Sequence, residues 1–257
     1  MTILAFAGLG LIFGSFATVA AHRIPRRETI VSGRSKCPNC DRQIRAHENI
    51  PVLSWILLRG RCAGCKEPIS VRYPLIELGT GILFALSAAK FGFTEEAFIY
   101  AAFFWVLVVL TVIDLDHKLL PDRVVYPAFV VGWIALIAAA LADSDPARLV
   151  DAAIGSAIFG GFFFVVAFVY PAGMGGGDIK LAFVLGTFIG YLGAPGLVLV
   201  GMFLSFLIGA LGGMGVMVVS GKGRKSQVPF GPFLAAGTVV AIMWGQSLLD
   251  LYLDSLT

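Results

Sequence analysis

The sequence predicts an all-α polytopic membrane protein with about eight transmembrane helices and a small cytoplasmic four-cysteine loop module. Of its 257 residues, 58% are hydrophobic and only 14% are charged, and the mean hydropathy is +0.89. An average soluble domain is about one quarter charged, so this composition indicates an integral membrane protein. Long apolar runs recur along almost the whole chain. They leave no room for a large soluble enzyme domain, and any chemistry must lie in or near the bilayer.

Eight apolar runs predict the membrane helices. The first covers about residues 2–21, and its basic residues follow the apolar run, so we interpret it as a retained span and not as a signal peptide. The other runs lie at about 74–92, 97–113, 124–142, 150–172, 181–193, 197–219 and 231–253. The chain is thus expected to consist of a first transmembrane helix (1–21), a loop module (22–73) and a membrane domain of about seven helices (74–257).

The distribution of basic residues predicts the orientation in the membrane. Eleven of the nineteen lysines and arginines lie in the loop at 22–73. Counted across alternating sides, seventeen fall on the side of this loop, and only Lys90 and Arg148 fall on the other. Because such residues concentrate in the cytoplasm, the loop is expected inside and both termini outside. A basic loop that simply lies against anionic lipid is an alternative explanation. Membrane lipid is an expected partner, and nucleic acid is not.

All four cysteines lie in this loop, as the pairs Cys37/Cys40 and Cys62/Cys65, with 21 residues between the two pairs. Two CxxC pairs at such a spacing are typical of a closed, structural four-thiolate zinc site. Disulfides are disfavoured in a reducing cytoplasm, and zinc would help to fold a segment that is too small for its own core. Four reduced or redox-active thiols are the alternative. His47 is expected at the surface and not as a ligand.

Acidic residues beside apolar spans are costly to bury and are therefore functional candidates. Four positions qualify: Glu77 near the start of the second span, Asp114 and Asp116 at the end of the third, and Asp178 just before the sixth. The predicted topology places all four carboxylates on the cytoplasmic side. Asp116 is expected in a short, solvated polar loop together with His117 and Asp122. Asp114 lies deeper than Asp116.

A glycine-rich run, Gly173-Met-Gly-Gly-Gly, leads directly to Asp178. Glycines let the backbone approach a substrate closely and break a helix where a cavity is needed, so Gly175 and Gly177 are candidate substrate-binding residues. Two carboxyls at one depth, Asp114 and Asp178, predict a pair that shares one proton. One would act as the base on water and the other as the acid toward an amide. An ion or proton transporter is the alternative.

Ordered motifs along nearly the whole chain resemble those of the type IV prepilin peptidases. They are Gly14-Ser15-Phe16, His22-Arg23-Ile24-Pro25, the two CxxC pairs, Glu48-Asn49-Ile50-Pro51 with Ser54-Trp55, Arg72-Tyr73-Pro74-Leu75-Ile76-Glu77, Ile113-Asp114-Leu115-Asp116 with Leu120-Pro121-Asp122, Gly173 to Asp178 with Lys180, and Pro229-Phe230-Gly231-Pro232.

The resemblance implies a bifunctional membrane aspartic peptidase and N-methyltransferase of the GxGD type. Such an enzyme cleaves the basic leader of type IV prepilins or type II secretion pseudopilins after a glycine. It then methylates the new N-terminal residue with S-adenosylmethionine. By motif match, Asp114 and Asp178 are the catalytic pair, Cys37, Cys40, Cys62 and Cys65 hold structural zinc, and residues 74–257 form the peptidase domain.

Three questions stay open at the level of sequence. Glu77 is either a substrate-binding acid that attracts the basic leader or a buried structural partner of Arg72. Methyl transfer rests on the resemblance alone, because no Gly-rich methyltransferase motif follows a strand, so a peptidase without methyl transfer is a rival. The second rival function is a transporter or an assembly scaffold, whose aspartates would carry ions or merely pack. The GxxxG pairs Gly10/Gly14 and Gly209/Gly213 predict close helix packing.

Overall fold

The structure is a computed structural model and describes residues 1–30, 35–171, 174–220 and 229–255. Several residues that entered the sequence-based predictions lie outside the described ranges: Arg34, Gly173, Lys222, Arg224 and Lys225.

The described ranges are almost entirely helical, as predicted. They contain nine α-helices: α1 (Thr2–Arg23), α2 (Leu53–Leu57), α3 (Arg72–Phe91), α4 (Glu95–His117), α5 (Asp122–Ala142), α6 (Ala147–Val169), α7 (Gly176–Gly190), α8 (Gly196–Ser220) and α9 (Gly231–Asp254). A short 3-10 helix spans Ala46–Asn49. Within these ranges, β-pairing is limited to two isolated bridges.

Seven helices in the described residues are long and apolar enough to cross a membrane. The remaining predicted span, the sixth (181–193), corresponds to α7, which has only 15 residues. Its length is about 22 Å, less than the roughly 30 Å of a bilayer hydrocarbon core. In the described residues, a helix therefore lies at each of the eight predicted apolar runs, and of these α7 is too short to cross the bilayer unaided.

At two helix ends the difference from the predicted run concerns candidate polar residues. α4 continues to His117, so Asp116 and His117 lie in its last turn and not in a loop. The helix stops where Lys118 takes a positive φ of 50°. α7 begins at Gly176, so Asp178 lies in its first turn and not ahead of it. Apolar runs locate the membrane core of a helix, whereas polar residues extend its ends into the interface.

The first of two compact units comprises residues Met1–Val109. In this unit α1 packs closely along α3. A Cβ atom on Gly14 would lie 2.6 Å from the Cα of Glu77, and one on Gly10 would lie 2.8 Å from the Cα of Gly81. These glycines therefore let two backbones touch, which confirms the packing predicted for the first GxxxG pair.

The second unit comprises residues Leu110–Thr257, and α7 lies at its centre. α7 packs against α5, α6, α8 and α9. Its residues from Val184 to Gly190 are all buried, so protein and not lipid surrounds this short helix. A Cβ on Gly155 of α6 would lie 2.7 Å from the Cα of Gly190. Glycines thus let α6 and α7 pack closely.

The second predicted GxxxG pair behaves differently. A Cβ on Gly209 would lie 2.8 Å from the ring of Phe230, whereas one on Gly213 would meet no described atom within 4 Å. The prediction is therefore wrong for Gly213. The reason is that Gly212, one residue earlier, faces the neighbouring helix, where the ring of Phe233 occupies the space that its side chain would need.

Candidate active site and metal centre

Asp114 is buried in the last turn of α4, with only 5% of its surface exposed. Its Oδ2 atom accepts a hydrogen bond of 3.0 Å from the backbone N–H of Gly231, the first residue of α9. The N-terminus of a helix offers unpaired N–H groups and a partial positive charge, so it is suited to hold a carboxylate. A Cβ on Gly231 would lie 2.6 Å from this oxygen, so the contact requires glycine.

Asp178 is half-buried in the first turn of α7. Its backbone N–H donates a 3.0 Å hydrogen bond to the carbonyl oxygen of Gly175. A Cβ on Gly175 would lie 3.0 Å from Oδ2 of Asp178, so the missing side chain leaves room beside the carboxyl group. Gly175 itself is exposed. The glycine run thus opens one side of Asp178 to approaching molecules.

The structure brings the neighbourhoods of Asp114 and Asp178 together at the buried side chain of Leu120. The Leu120 Cβ is 2.9 Å from the Cβ position of Gly177, which precedes Asp178, and its Cδ2 is 3.3 Å from that of Gly231, which contacts Asp114. Two carboxyls that repel each other favour a state in which they hold one proton between them. Such a pair can serve as base and acid in one reaction.

An ion pair between α5 and α7 was not predicted from the sequence. Lys180 Nζ in α7 lies 2.7 Å from Oδ1 of Asp122 in α5, and it also lies 5.3 Å from the ring centre of Tyr126. The pair joins the N-terminal turns of two helices. Asp122 is the first residue of α5, and both Asp122 and Asp116 are exposed, as predicted. The two partners lie 58 residues apart, and no local spacing connects them.

Glu77 lies in the first unit and is buried, with 8% of its surface exposed. Its Oε2 atom accepts a 2.7 Å hydrogen bond from the backbone N–H of Val52, and the Ser15 side chain also hydrogen-bonds it. Glu77 thus joins α1, α3 and the loop. Val52 and Ser15 are therefore structural partners of Glu77.

The four cysteines converge as predicted, and their sulfur atoms all lie within 4.8 Å of one another. The Sγ atoms of Cys37 and Cys65 are 3.7 Å apart. Four thiolates at about 2.3 Å from a tetrahedral zinc ion would be about 3.8 Å apart, so the cluster fits this metal. Within the described residues, the cluster contains no histidine. His47 is exposed, as predicted.

Two similar turns present the thiols. In the first, the N–H of Cys37 bonds to Arg42 O and the N–H of Asp41 to Cys37 O, at 3.0 Å each. In the second, the N–H of Cys62 bonds to Glu67 O at 2.8 Å, and the N–H of Lys66 bonds to Cys62 O at 3.1 Å. An isolated β-bridge flanks each turn. The cluster is thus built from two copies of one local structure, which CxxC spacing produces.

Backbone N–H groups lower the pKa of two of the four cysteine thiols. The N–H groups of Cys65 and Gly64 lower the pKa of the Cys62 thiol to about 6. The pKa of Cys65 is also lowered, chiefly by the N–H of Glu67. The thiolate is the form that binds metal, so the lowered pKa of Cys62 favours metal binding at neutral pH.

Comparison with known families agrees with the site geometry. The model of the bacterial peptidase A24 N-terminal domain matches residues 9–91, and that of the type IV leader peptidase family matches residues 101–214. The first match contains all four cysteines and Glu77, and the second contains both aspartates. The chain therefore belongs to the type IV leader peptidase family.

Individual relatives match over nearly their full length. The prepilin leader peptidase/N-methyltransferase of Stutzerimonas stutzeri is 36% identical over 270 residues, which cover 96% of this chain and 92% of that protein. The protein of the same name from Aeromonas hydrophila is 37% identical over 280 residues, with 95% and 91% coverage. That from Bacillus subtilis is 36% identical over 248 residues, with 95% coverage of both chains. No solved structure matches the chain.

Proposed function

We propose that this membrane enzyme removes the leader from type IV prepilins or type II secretion pseudopilins after a glycine and then methylates the new N-terminal residue. The observation that carries the proposal is the meeting of Asp114 and Asp178 in a chain of the type IV leader peptidase family. Both activities appear in the names of relatives that match almost end to end.

In the proposed cleavage, Asp114 and Asp178 hold one proton between them. The ionised carboxyl takes a proton from a water molecule whose oxygen bonds to the scissile carbonyl carbon. The protonated carboxyl then donates its proton to the leaving amide nitrogen as the C–N bond breaks. The hydrogen bond from the Gly231 N–H fixes the orientation of the Asp114 carboxyl, which supports a defined geometry for these transfers.

The exposed Gly175 is the candidate for contact with the substrate backbone, because the space beside Asp178 depends on its missing side chain. Gly177 lies on the same turn, where the lack of a side chain makes room for Leu120. Glu77 as a substrate-binding acid stays a prediction, and its buried contacts with Val52 support a positioning role. These assignments complete the proposed substrate-binding set.

Cys37, Cys40, Cys62 and Cys65 are proposed to hold one structural zinc ion, since their sulfur atoms have the required separation. A closed four-thiolate site leaves no position for a reacting water, so zinc would stabilise the loop and not act in cleavage. S-adenosylmethionine is the proposed donor and supplies the electrophilic methyl group for the new amine. Its use is supported by the names of the relatives.

The proposed location is the inner membrane, with both termini in the periplasm and the cysteine loop and the two aspartates at the cytoplasmic face. The uneven distribution of basic residues supports this orientation. The prepilin leader is basic and cytoplasmic, as membership in this family implies, so the scissile bond would be presented on the same side. The division of the chain into a first transmembrane helix (1–21), a loop module (22–73) and a membrane domain (74–257) also stays a prediction.

Mass spectrometry of a full-length prepilin tests both activities together. The purified protein is incubated with the prepilin, with and without S-adenosylmethionine, beside the Asp178→Ala variant. The proposal predicts loss of the leader in both wild-type reactions, one added methyl group only with S-adenosylmethionine, and an unchanged mass with the variant. Leader removal without a methyl group would leave a peptidase only, and cleavage by Asp178→Ala would contradict the aspartate mechanism.

A further inference from the structure

Helix α2 exposes an apolar face. Leu53, Ile56 and Leu57 of α2, together with Ile50 just before it, have between 45% and 70% of their surface exposed. The opposite side of the same segment is held within the loop: the buried Ser54 donates a 3.1 Å hydrogen bond to His47 O. The orientation of α2 is therefore fixed with its large aliphatic side chains outward. Exposed aliphatic clusters of this kind mark interaction surfaces.

The contact between this segment and α3 indicates how deep the segment lies in the membrane. The Val52 N–H bonds to Glu77, the sixth residue of α3. At 1.5 Å per residue, Glu77 lies about 7.5 Å along the helix from its first residue, Arg72. The Val52 N–H therefore contacts the side chain of a residue in the second turn of a membrane-spanning helix. Amphipathic segments in the bilayer interface lie about 5–10 Å deep, at the boundary of headgroups and acyl chains.

The contact between Glu77 and helix α1 indicates a similar depth for this segment. Glu77 is also hydrogen-bonded by Ser15, which lies eight residues before Arg23, the last residue of α1. This separation corresponds to about 12 Å along the helix. The turn at Val52 thus lies beside two membrane helices and below the ends of both. A loop that merely covered the membrane surface would not reach this level.

Charge favours a lipid occupant over a second apolar protein surface. Two exposed arginines, Arg59 and Arg61, follow α2 directly. The loop as a whole carries eleven of the nineteen basic residues of the chain. An aliphatic face followed by arginines is the pattern of a segment that inserts into the interface of an anionic bilayer.

We propose that residues 50–61 form an interfacial anchor, with Ile50, Leu53, Ile56 and Leu57 among the acyl chains and Arg59 and Arg61 at anionic headgroups. The hydrogen bond between Val52 and Glu77 sets the depth of this anchor. Because Trp55 Nε1 of the same segment donates to Ile69 O at 3.0 Å, the anchor also fixes the second CxxC turn relative to the membrane surface. The anchor does not depend on the proposed reaction.

Photo-crosslinking of the full-length protein tests the occupant directly. The photoreactive residue p-benzoylphenylalanine replaces Leu57 and, in a second variant, Ile56. The matched control carries it at Glu67, an exposed position of the same loop that follows the second CxxC turn. Each protein is placed in nanodiscs of phosphatidylethanolamine and phosphatidylglycerol, irradiated, and its adducts are identified by mass spectrometry. Elution as a single species before irradiation verifies folding.

The anchor predicts phospholipid adducts at positions 57 and 56, several-fold more abundant than at position 67. Equal lipid labelling at all three positions would overturn the proposal, because it would mean that α2 is no closer to the bilayer than the CxxC turn. Adducts to another segment of this chain, or to prepilin when it is added, would also overturn it. Such adducts would mean that the apolar face contacts protein and not lipid.

Discussion

Replacing Gly231 by alanine would place a methyl group against the Asp114 carboxyl. The added Cβ would lie 2.6 Å from Oδ2 and 3.3 Å from Cγ of Asp114, with Leu120 Cδ2 also at 3.3 Å. A carbon and an oxygen that are not bonded rarely approach closer than about 3.3 Å, so the carboxyl must move by roughly 0.7 Å. Leu120 blocks one direction of escape because it is buried.

Displacement of the Asp114 carboxyl should slow the chemical step of leader cleavage. Displacement of a reacting group by about 1 Å costs on the order of 100-fold in rate, so Gly231→Ala should lower leader cleavage at saturating prepilin by one to two orders of magnitude. Overpacking of this size costs about 1–3 kcal/mol of stability, which leaves most membrane proteins folded. Cleavage is followed from the change in pilin mobility on gels.

Gly161→Ala is the matched control, because a Cβ on this α6 glycine would meet no described atom within 4 Å. It should cleave at the wild-type rate. The reasoning would be refuted if Gly231→Ala, eluting like the wild type in detergent, also cleaved within a few-fold of the wild-type rate. The hydrogen bond from α9 would then have no part in aligning Asp114.

Three further outcomes are expected. Zinc analysis of the purified protein should find one ion per chain. The Cys62→Ser variant should lose both the zinc and methyl transfer, while leader cleavage persists. Full methyl transfer by metal-free protein would contradict the structural role of zinc. Lys180→Met, which removes the ion pair with α5, should slow cleavage without changing zinc content. The Arg45 N–H and the Arg42 guanidinium hold the pKa of Glu48 below its usual value. A lowered carboxyl pKa contributes stability above the ordinary pKa that is lost as pH falls through the lowered one. Amide exchange in the loop should therefore distinguish Glu48→Gln from wild type at pH 7 but not well below about pH 4.

Local patterns predicted the parts of the site that depend on sequence spacing. The CxxC pairs fold into two similar turns whose backbone bonds are closed within six residues, so their geometry follows from the motif itself. Apolar runs located the helices because hydrophobic length decides which segments enter a membrane. The position of Asp114 at the end of such a run also indicated its burial before the structure showed it.

Contacts between distant segments could not be predicted in this way. The Gly231 N–H and Asp114 are 117 residues apart, and the Lys180–Asp122 pair spans 58. No periodicity connects such partners, since tertiary packing alone brings them together. The same limit explains Glu77: its burial was a reasonable expectation, but the choice of Val52 as its partner depends on how the loop folds back between α1 and α3.

The central claim is that Asp114 and Asp178 act together as acid and base, and single substitutions test it most directly. Asp114→Asn and Asp178→Asn are compared with Asp116→Asn, an exposed acid in the same last turn of α4. Prepilin cleavage is measured on protein of equal amount and equal elution profile. The account predicts that each of the first two changes abolishes cleavage, since one carboxyl cannot serve both roles, and that Asp116→Asn retains it. Cleavage by Asp114→Asn together with its loss in Asp116→Asn would contradict the account and move the role to Asp116.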